Sequence, residues 1–268
     1  MRDCVSLRRA PRALYRLIAA NAPLWAGEAE VFSSYFASAA RTPASDAQWL
    51  ARQCFKELID GVARRLARIT AGCDDFSGTE ASVADALTDE IVRDELEHYV
   101  AFAIAYRAAL IADGATADSL RPTVRGADWP ENAALMALRD LDLAAHGELG
   151  QRAYAFTEGG YGTLYRAGLA LAGGSPLDDA IAAACARVHD DEWHHMLEGT
   201  AGFADAPFSE GDWALLERLS IEQGRQRIRM RNAQFGYPLS ADRVDALVAG
   251  AAQPLRFDFE RAGLEPPG

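Results

Sequence analysis

"DELEHYV" occupies residues 94–100 and "DEWHHML" residues 191–197. In both, an Asp-Glu pair is followed, three residues after the Glu, by a His, in a chain that holds only five histidines. Residues three apart on an α-helix project from one side, so Glu95 with His98, and Glu192 with His195, can reach a single point in space. A carboxylate and an imidazole so placed are a natural pair of metal ligands. The competing reading is a solvated surface pair, and the neighbours argue against it. Glu95 shares its side with Ile91, Val92, Tyr99, Phe102 and Tyr106, and Glu192 with Ile181, Cys185, Val188 and Met196. A carboxylate on such an apolar stripe costs several kcal/mol unless it is paired or metal-bound. His194 points away from this side and reads as solvated.

Further residues extend the pattern. Asp94 and Asp191 precede the two glutamates and can accept the second ring N–H of a ligating His, which fixes its tautomer. Glu158 is a lone acid flanked by Tyr154, Tyr161, Tyr165 and Leu169. It lies about 14 residues before the "GGSP" turn and Glu192 about 14 after the next helix begins, so at ~1.5 Å per residue both stand ~20 Å from the turn. The first carboxylate has two candidates. Chain connectivity favours Glu57, which mirrors Glu95 about its own turn but shares its side with Gln53, Asp60, Arg64 and Arg68. Burial favours Glu28, centred on Leu24, Trp25, Val31, Phe32 and Tyr35.

A Glu, an ExxH, a long crossover, then a Glu and a second ExxH resembles the ferritin-like di-iron carboxylate proteins, and the doubled Asp-Glu-x-x-His form looks most like their oxygen-activating branch. The resemblance covers roughly residues 46 to 200. It implies a four-helix bundle, here with additional N- and C-terminal helices, holding two iron ions or a manganese and iron pair. The implied metal ligands are Glu57 (or its rival Glu28), Glu95, His98, Glu158, Glu192 and His195, with Asp94, Asp191 and His189 around them. The implied chemistry is O2 activation that hydroxylates, desaturates or N-oxygenates a small organic substrate, with Glu95, Glu192 and Tyr161 at the reacting centre. An external electron donor, a ferredoxin or a reductase, would recharge the metals. The alternative within the same resemblance is iron handling by a ferroxidase.

Composition fits an all-α chain. Half of the 268 residues are hydrophobic, and β-branched alternating runs are scarce. A net charge of -12 argues against nucleic-acid or anionic-membrane partners. No apolar stretch reaches bilayer length, and four scattered cysteines form no CxxC pair, which reads as a cytoplasmic, reduced protein. A homodimer is compatible with these features. The pattern predicts a helix opened by Pro23 and running to about residue 40. The next is capped by Ser45 with Gln48 and fades at Gly72. Others follow over 82–113, from Ala133 to Ala172 with a break near Gly147 and Gly150, from Asp178 past His195, over 212–235, and last a short one. This gives a bundle over 1–204 and a C-terminal extension over 205–268 packed on it.

Several residues carry two readings. Gly159, Gly160 and Gly162 beside Glu158 read as a π-bulge or a cleared space at the metals, or else as close helix packing. Tyr99, Tyr106, Tyr161 and Tyr165 read as hydrogen-bond donors or radical sites, or as core. His189 reads as a third imidazole, and His146 as the cap of a broken helix. Arg225, Arg227, Arg229 and Arg231 read as a receiver for an acidic substrate or redox partner, or as ion pairs to the bundle with Glu217 and Glu222 nearby.

Overall fold

A computed structural model describes residues 12–64, 66, 90–116, 124, 126–204, 207–258 and 263–264, without the side chains at 90, 91, 159, 160, 190, 193–202, 204, 258, 263 and 264. The elements in order are α1 (Arg12–Phe36), α2 (Pro43–Phe55), a π-helical stretch (Lys56–Ala63), α3 (Glu90–Ala112), α4 (Pro130–His146), α5 (Glu148–Thr157), a 3-10 turn (Glu158–Gly162), α6 (Thr163–Leu169), α7 (Pro176–Ala204), α8 (Glu210–Gln234) and α9 (Ala241–Val248). Two short strands, β1 (Phe257–Asp258) and β2 (Gly263–Leu264), pair antiparallel with Phe257 opposite Leu264. The described chain is otherwise helical, as the scarcity of alternating runs predicts. None of its helices is long and apolar enough to cross a membrane.

The helix starts expose the limits of local signals. Pro23 does not open α1 but lies inside it. The preceding turns bury Leu14, Leu17, Ile18 and Ala22, and each large apolar side chain contributes about 1.5–3 kcal/mol, against roughly 3 kcal/mol for an interior proline. The cap of α2 is Thr42, not Ser45. Proline at the first helical position is pre-set for the helix, so Pro43 fixes the cap one residue earlier. Ser45 then completes the box, its N–H donating to Thr42 Oγ1 at 3.2 Å while its Oγ accepts from the Thr42 N–H at 2.9 Å. The helix expected from Ala133 to Ala172 breaks at Gly147 as expected, and a second, unexpected interruption follows over Glu158–Gly162. Tyr161 and Gly162 take positive φ, 53° and 69°, which no helix accommodates. A π-bulge, one of the readings of the glycines beside Glu158, is absent there, and a π-helical stretch lies around Glu57 instead. Residues 82–89, part of the helix expected over 82–113, and Gly72 lie outside the described residues.

The chain forms two compact units. The first gathers residues 1–39, 129–167 and 189–268. Its core packs Leu14, Leu17, Trp25, Phe156, Tyr161, Phe203, Trp213, Leu216 and Phe257. The second gathers 40–128 and 168–188. There Trp49 of α2 meets Phe102 of α3 edge-on at 6.4 Å, with Leu50, Cys54 and Ala105 buried alongside. Arg41 ties the start of α2 to the start of α7 through Asp46 at 3.0 Å and Asp178 at 2.7 Å. Gly168 allows a close approach to Cys185: a β-carbon there would stand 2.2 Å from Sγ.

Candidate metal centre

The second unit holds one cluster of acids and imidazole with metal-ligand spacing among the described residues: Glu57, Glu95 and His98, all buried, with donor atoms within 4.8 Å of one another. Its construction follows from the helices. Glu95 and His98 lie one turn apart on the buried face of α3, with Phe102, Ala105 and Ala109 continuing that face. Glu57 arrives from the facing chain, where α2 passes into the π-helical stretch. His98 is 0 % exposed, and its Nδ1 stands 4.0 Å from Glu57 Oε2 and 4.0 Å from Glu95 Oε2.

These separations suit a single ion. Donors at ~2.1 Å from a transition metal can lie no more than about 4.2 Å apart, so one ion can touch His98 together with either carboxylate without moving them. Two carboxylates and an imidazole form a donor set for iron, manganese, cobalt or zinc. A buried charge costs several kcal/mol unless it is balanced, and a divalent cation is the countercharge that a pair of buried carboxylates would take.

Two supporting residues escaped the sequence reading. Gln53, fully buried, donates its amide N–H to Glu57 Oε1, which leaves Oε2 turned toward His98. Gly61 lies against the other carboxylate: a β-carbon there would come within 2.6 Å of Glu95 Oε2. In the π-helical stretch the Arg64 N–H reaches back five residues to the Ile59 carbonyl. Glu57 and Gly61 both lie in this widened ladder, and such stretches recur at functional sites. Of the polar neighbours that made Glu57 look half solvated, Gln53 holds Glu57 and Asp60 pairs with Arg64 at 3.3 Å, while Arg68 lies outside the described residues. Burial, and after it the Glu57 charge, pushes the neighbouring Cys54 thiol well up. Cys54 is thus a neutral wall.

The rival first ligand has another occupation. Glu28, in the first unit, accepts both Nε (3.0 Å) and Nη2 (2.6 Å) of Arg227, and Nε of Arg231 at 3.1 Å. Burial raises its carboxyl, but the two guanidiniums together lower it by more, and the net shift is downward. The same contacts resolve the arginine cluster. Arg227 and Arg231 are buried on Glu28, Arg225 donates to the Val248 carbonyl at 3.1 Å, and Arg229 is exposed. The ion-pair reading holds, with Glu28 as the partner in place of Glu217 and Glu222.

The remaining candidates are dispersed. Glu158 is exposed at the C-terminus of α5 with extended backbone, so the level argument, which assumed an unbroken helix, fails there. Its charge acts on Arg227. Tyr161 is buried in the first unit's core, its ring 3.6 Å from that of Trp25 and 5.6 Å from that of Phe156, and this packing accounts for it. Gly162 lies beside His189, whose ring Cδ2 would be at an ordinary contact distance of 3.5 Å from an added β-carbon, so its positive φ of 69°, not crowding, is what calls for glycine there. His146 ends α4, as expected of a residue at a helix break. Asp94, Asp191, His189 and Tyr99 are half-buried; Tyr106 and Tyr165 are buried. Glu192 is buried on α7, while the side chains of His194 and His195 lie outside the described residues. Comparison with protein families, with curated proteins and with solved structures finds no match.

Proposed function

We propose that the protein is a di-iron oxygenase or oxidase that activates O2 to oxidise a small organic substrate. The observation that carries this reading is the convergence of Glu57, Glu95 and His98 in a buried cluster, because it joins one Asp-Glu-x-x-His motif to a carboxylate from a separate helix. Glu57, Glu95 and His98 would hold one ion. Glu192 and His195 repeat the motif on α7, and the resemblance assigns them the second. When bound, a pair of ferrous ions supplies electrons to O2.

The chain's own part is positional. Gln53 keeps one Glu57 oxygen occupied and presents the other. Gly61 leaves room for the Glu95 carboxylate. Burial excludes bulk water, which strengthens every charge interaction at the site. His98 presents Nδ1 toward both carboxylates, the atom through which it would hold the ion.

The test is metal analysis of the purified protein with O2 uptake measured beside it. About two irons per chain and substrate-dependent O2 consumption are expected under a two-ion site with one electron acceptor. Iron uptake far beyond two per chain would replace the oxygenase with the ferroxidase reading, and a protein that binds no iron would end both.

A further inference from the structure

An O2-activating site that takes two electrons per turnover from outside needs a place where a donor docks. The arginines of α8 offered such a place in the sequence, but two of them are buried against Glu28. The structure assigns the role to another surface: we propose that the outer face of α3 docks an acidic one-electron carrier of the iron–sulfur type. This rests on the oxygenase reading above.

The observation is a division of one helix into two faces. Glu95, His98, Phe102, Ala105 and Ala109 are buried on one side of α3. On the opposite side Leu96, Val100, Ile104 and Ile111 are 42 %, 49 %, 63 % and 51 % exposed. They account for four of the six large hydrophobic side chains exposed among the described residues. At 100° per residue these four fall within one 80° sector, a stripe ~22 Å long. Contiguous exposed apolar surface of this kind marks a contact site.

Charge selects the occupant. Arg93 and Arg107 lie in the same sector and are exposed. Arg187, at the start of the stripe, pairs with Glu97. Among the described residues three arginines stand against one glutamate on this face, on a chain whose net charge is -12. An acidic partner that the rest of the molecule repels is drawn to this face, and an apolar centre with a charged rim is the anatomy of a transient docking surface. A second copy of this chain, itself strongly acidic, gains less. Position supplies the purpose: an α-helix with its side chains is ~10–12 Å across, so a carrier seated on the stripe is separated from Glu95 and His98 by one helix.

Each encounter passes one electron and oxidises one carrier. Two encounters complete the balance RH + O2 + 2 H+ + 2 e- → ROH + H2O, in which the substrate supplies the other two electrons and the protons come from water.

The test uses the full chain and an acidic [2Fe–2S] ferredoxin. Binding is measured by titration calorimetry at low and high salt, with iron content and oligomeric state recorded on the same samples. Binding that weakens as salt rises is expected, with a loss of about tenfold or more for Ile104→Glu and for Arg107→Glu. Arg229→Glu, on an exposed site elsewhere, should bind as the unaltered protein does. Dithionite, which needs no docking surface, should still reduce iron-loaded Ile104→Glu at the unaltered rate. Unchanged ferredoxin binding by Ile104→Glu and Arg107→Glu overturns the proposal, as does a dimer that Ile104→Glu splits without affecting ferredoxin. A protein that binds ferredoxin through this face but no iron would leave the docking surface standing and remove the oxygenase reading.

Discussion

Replacing Glu28 with Gln separates a structural acid from a metal ligand. In the folded protein this carboxylate accepts three N–H groups from two guanidiniums, at 2.6, 3.0 and 3.1 Å, and all three side chains are buried. Glutamine keeps the shape but offers one acceptor oxygen and turns an N–H toward an arginine. Two cations are then left in a dry interior without their anion. Breaking a buried pair in this way costs about 3–5 kcal/mol, and at roughly 2–4 °C per kcal/mol the melting temperature should fall by about 6–20 °C. The sign with pH follows from the shift. Folding lowers the Glu28 carboxyl below its ordinary value of 4.5, so its contribution is complete above that value and is lost as pH falls through the folded one. The difference between Glu28→Gln and the unaltered protein should therefore be full at pH 7 and shrink in acid. Urea titrations followed by circular dichroism at several pH values measure both quantities, and metal content is measured alongside. A variant within 1 kcal/mol of the unaltered protein at pH 7, or one that folds normally but has lost its metal, would refute this account of Glu28.

Three further outcomes bear on the second unit. Gly61→Ala should fold with stability near that of the unaltered protein, since the atom it meets is the end of a flexible Glu95 side chain, yet bind metal roughly 10–100-fold more weakly as the carboxylate is pushed aside. Cobalt(II) titration by absorption reads the affinity, and undiminished affinity would show that Glu95 has no fixed seat. Gln53→Leu removes the donor that holds Glu57 and should weaken metal by a similar 10–100-fold without unfolding α2; equal affinity would make Gln53 a mere filler. Burial pushes the Cys185 thiol up to about 12 and the Cys54 thiol up as well. A pulse of iodoacetamide at pH 8, mapped by mass spectrometry, should leave both unmodified in the folded protein and label both in urea, because a thiol at 12 is roughly one part in ten thousand thiolate there. Rapid native labelling of Cys185 would contradict its burial.

The face of α3 could be read from the sequence because it depends only on helical period: Glu95, His98 and Phe102 recur at intervals that any α-helix aligns. The pairing of Glu57 with them was half legible. Connectivity pointed to it, but the polar residues around it suggested solvent, since a one-letter string does not tell a wet glutamine from a buried one that is donating a hydrogen bond. Glu28 misled in the opposite direction. Its apolar stripe signalled burial correctly, while its partners came from residues 227 and 231, about two hundred positions away, and long-range ion pairs leave no local pattern. Glu158 was misplaced because the count of residues to the next turn assumed an uninterrupted helix, and the glycines that follow it break that ladder. Gly61 carried no signal at all, because its importance lies in a side chain that belongs to another helix.

The widened ladder at Lys56–Ala63 holds a surplus residue relative to the α-helix before it. A surplus of this kind behaves like a dislocation in a crystal row. It moves along when each N–H exchanges a carbonyl five back for one four back, and every residue it passes swings by about 100°. Glu57 and Gly61 ride on the same defect, so the acid and the seat of its neighbour arrive or depart together. A chain shortened by one residue there would keep Glu95, His98 and a glutamate at the head of the stretch, and yet present a different cavity. The motif would survive intact in the written sequence after the geometry had gone.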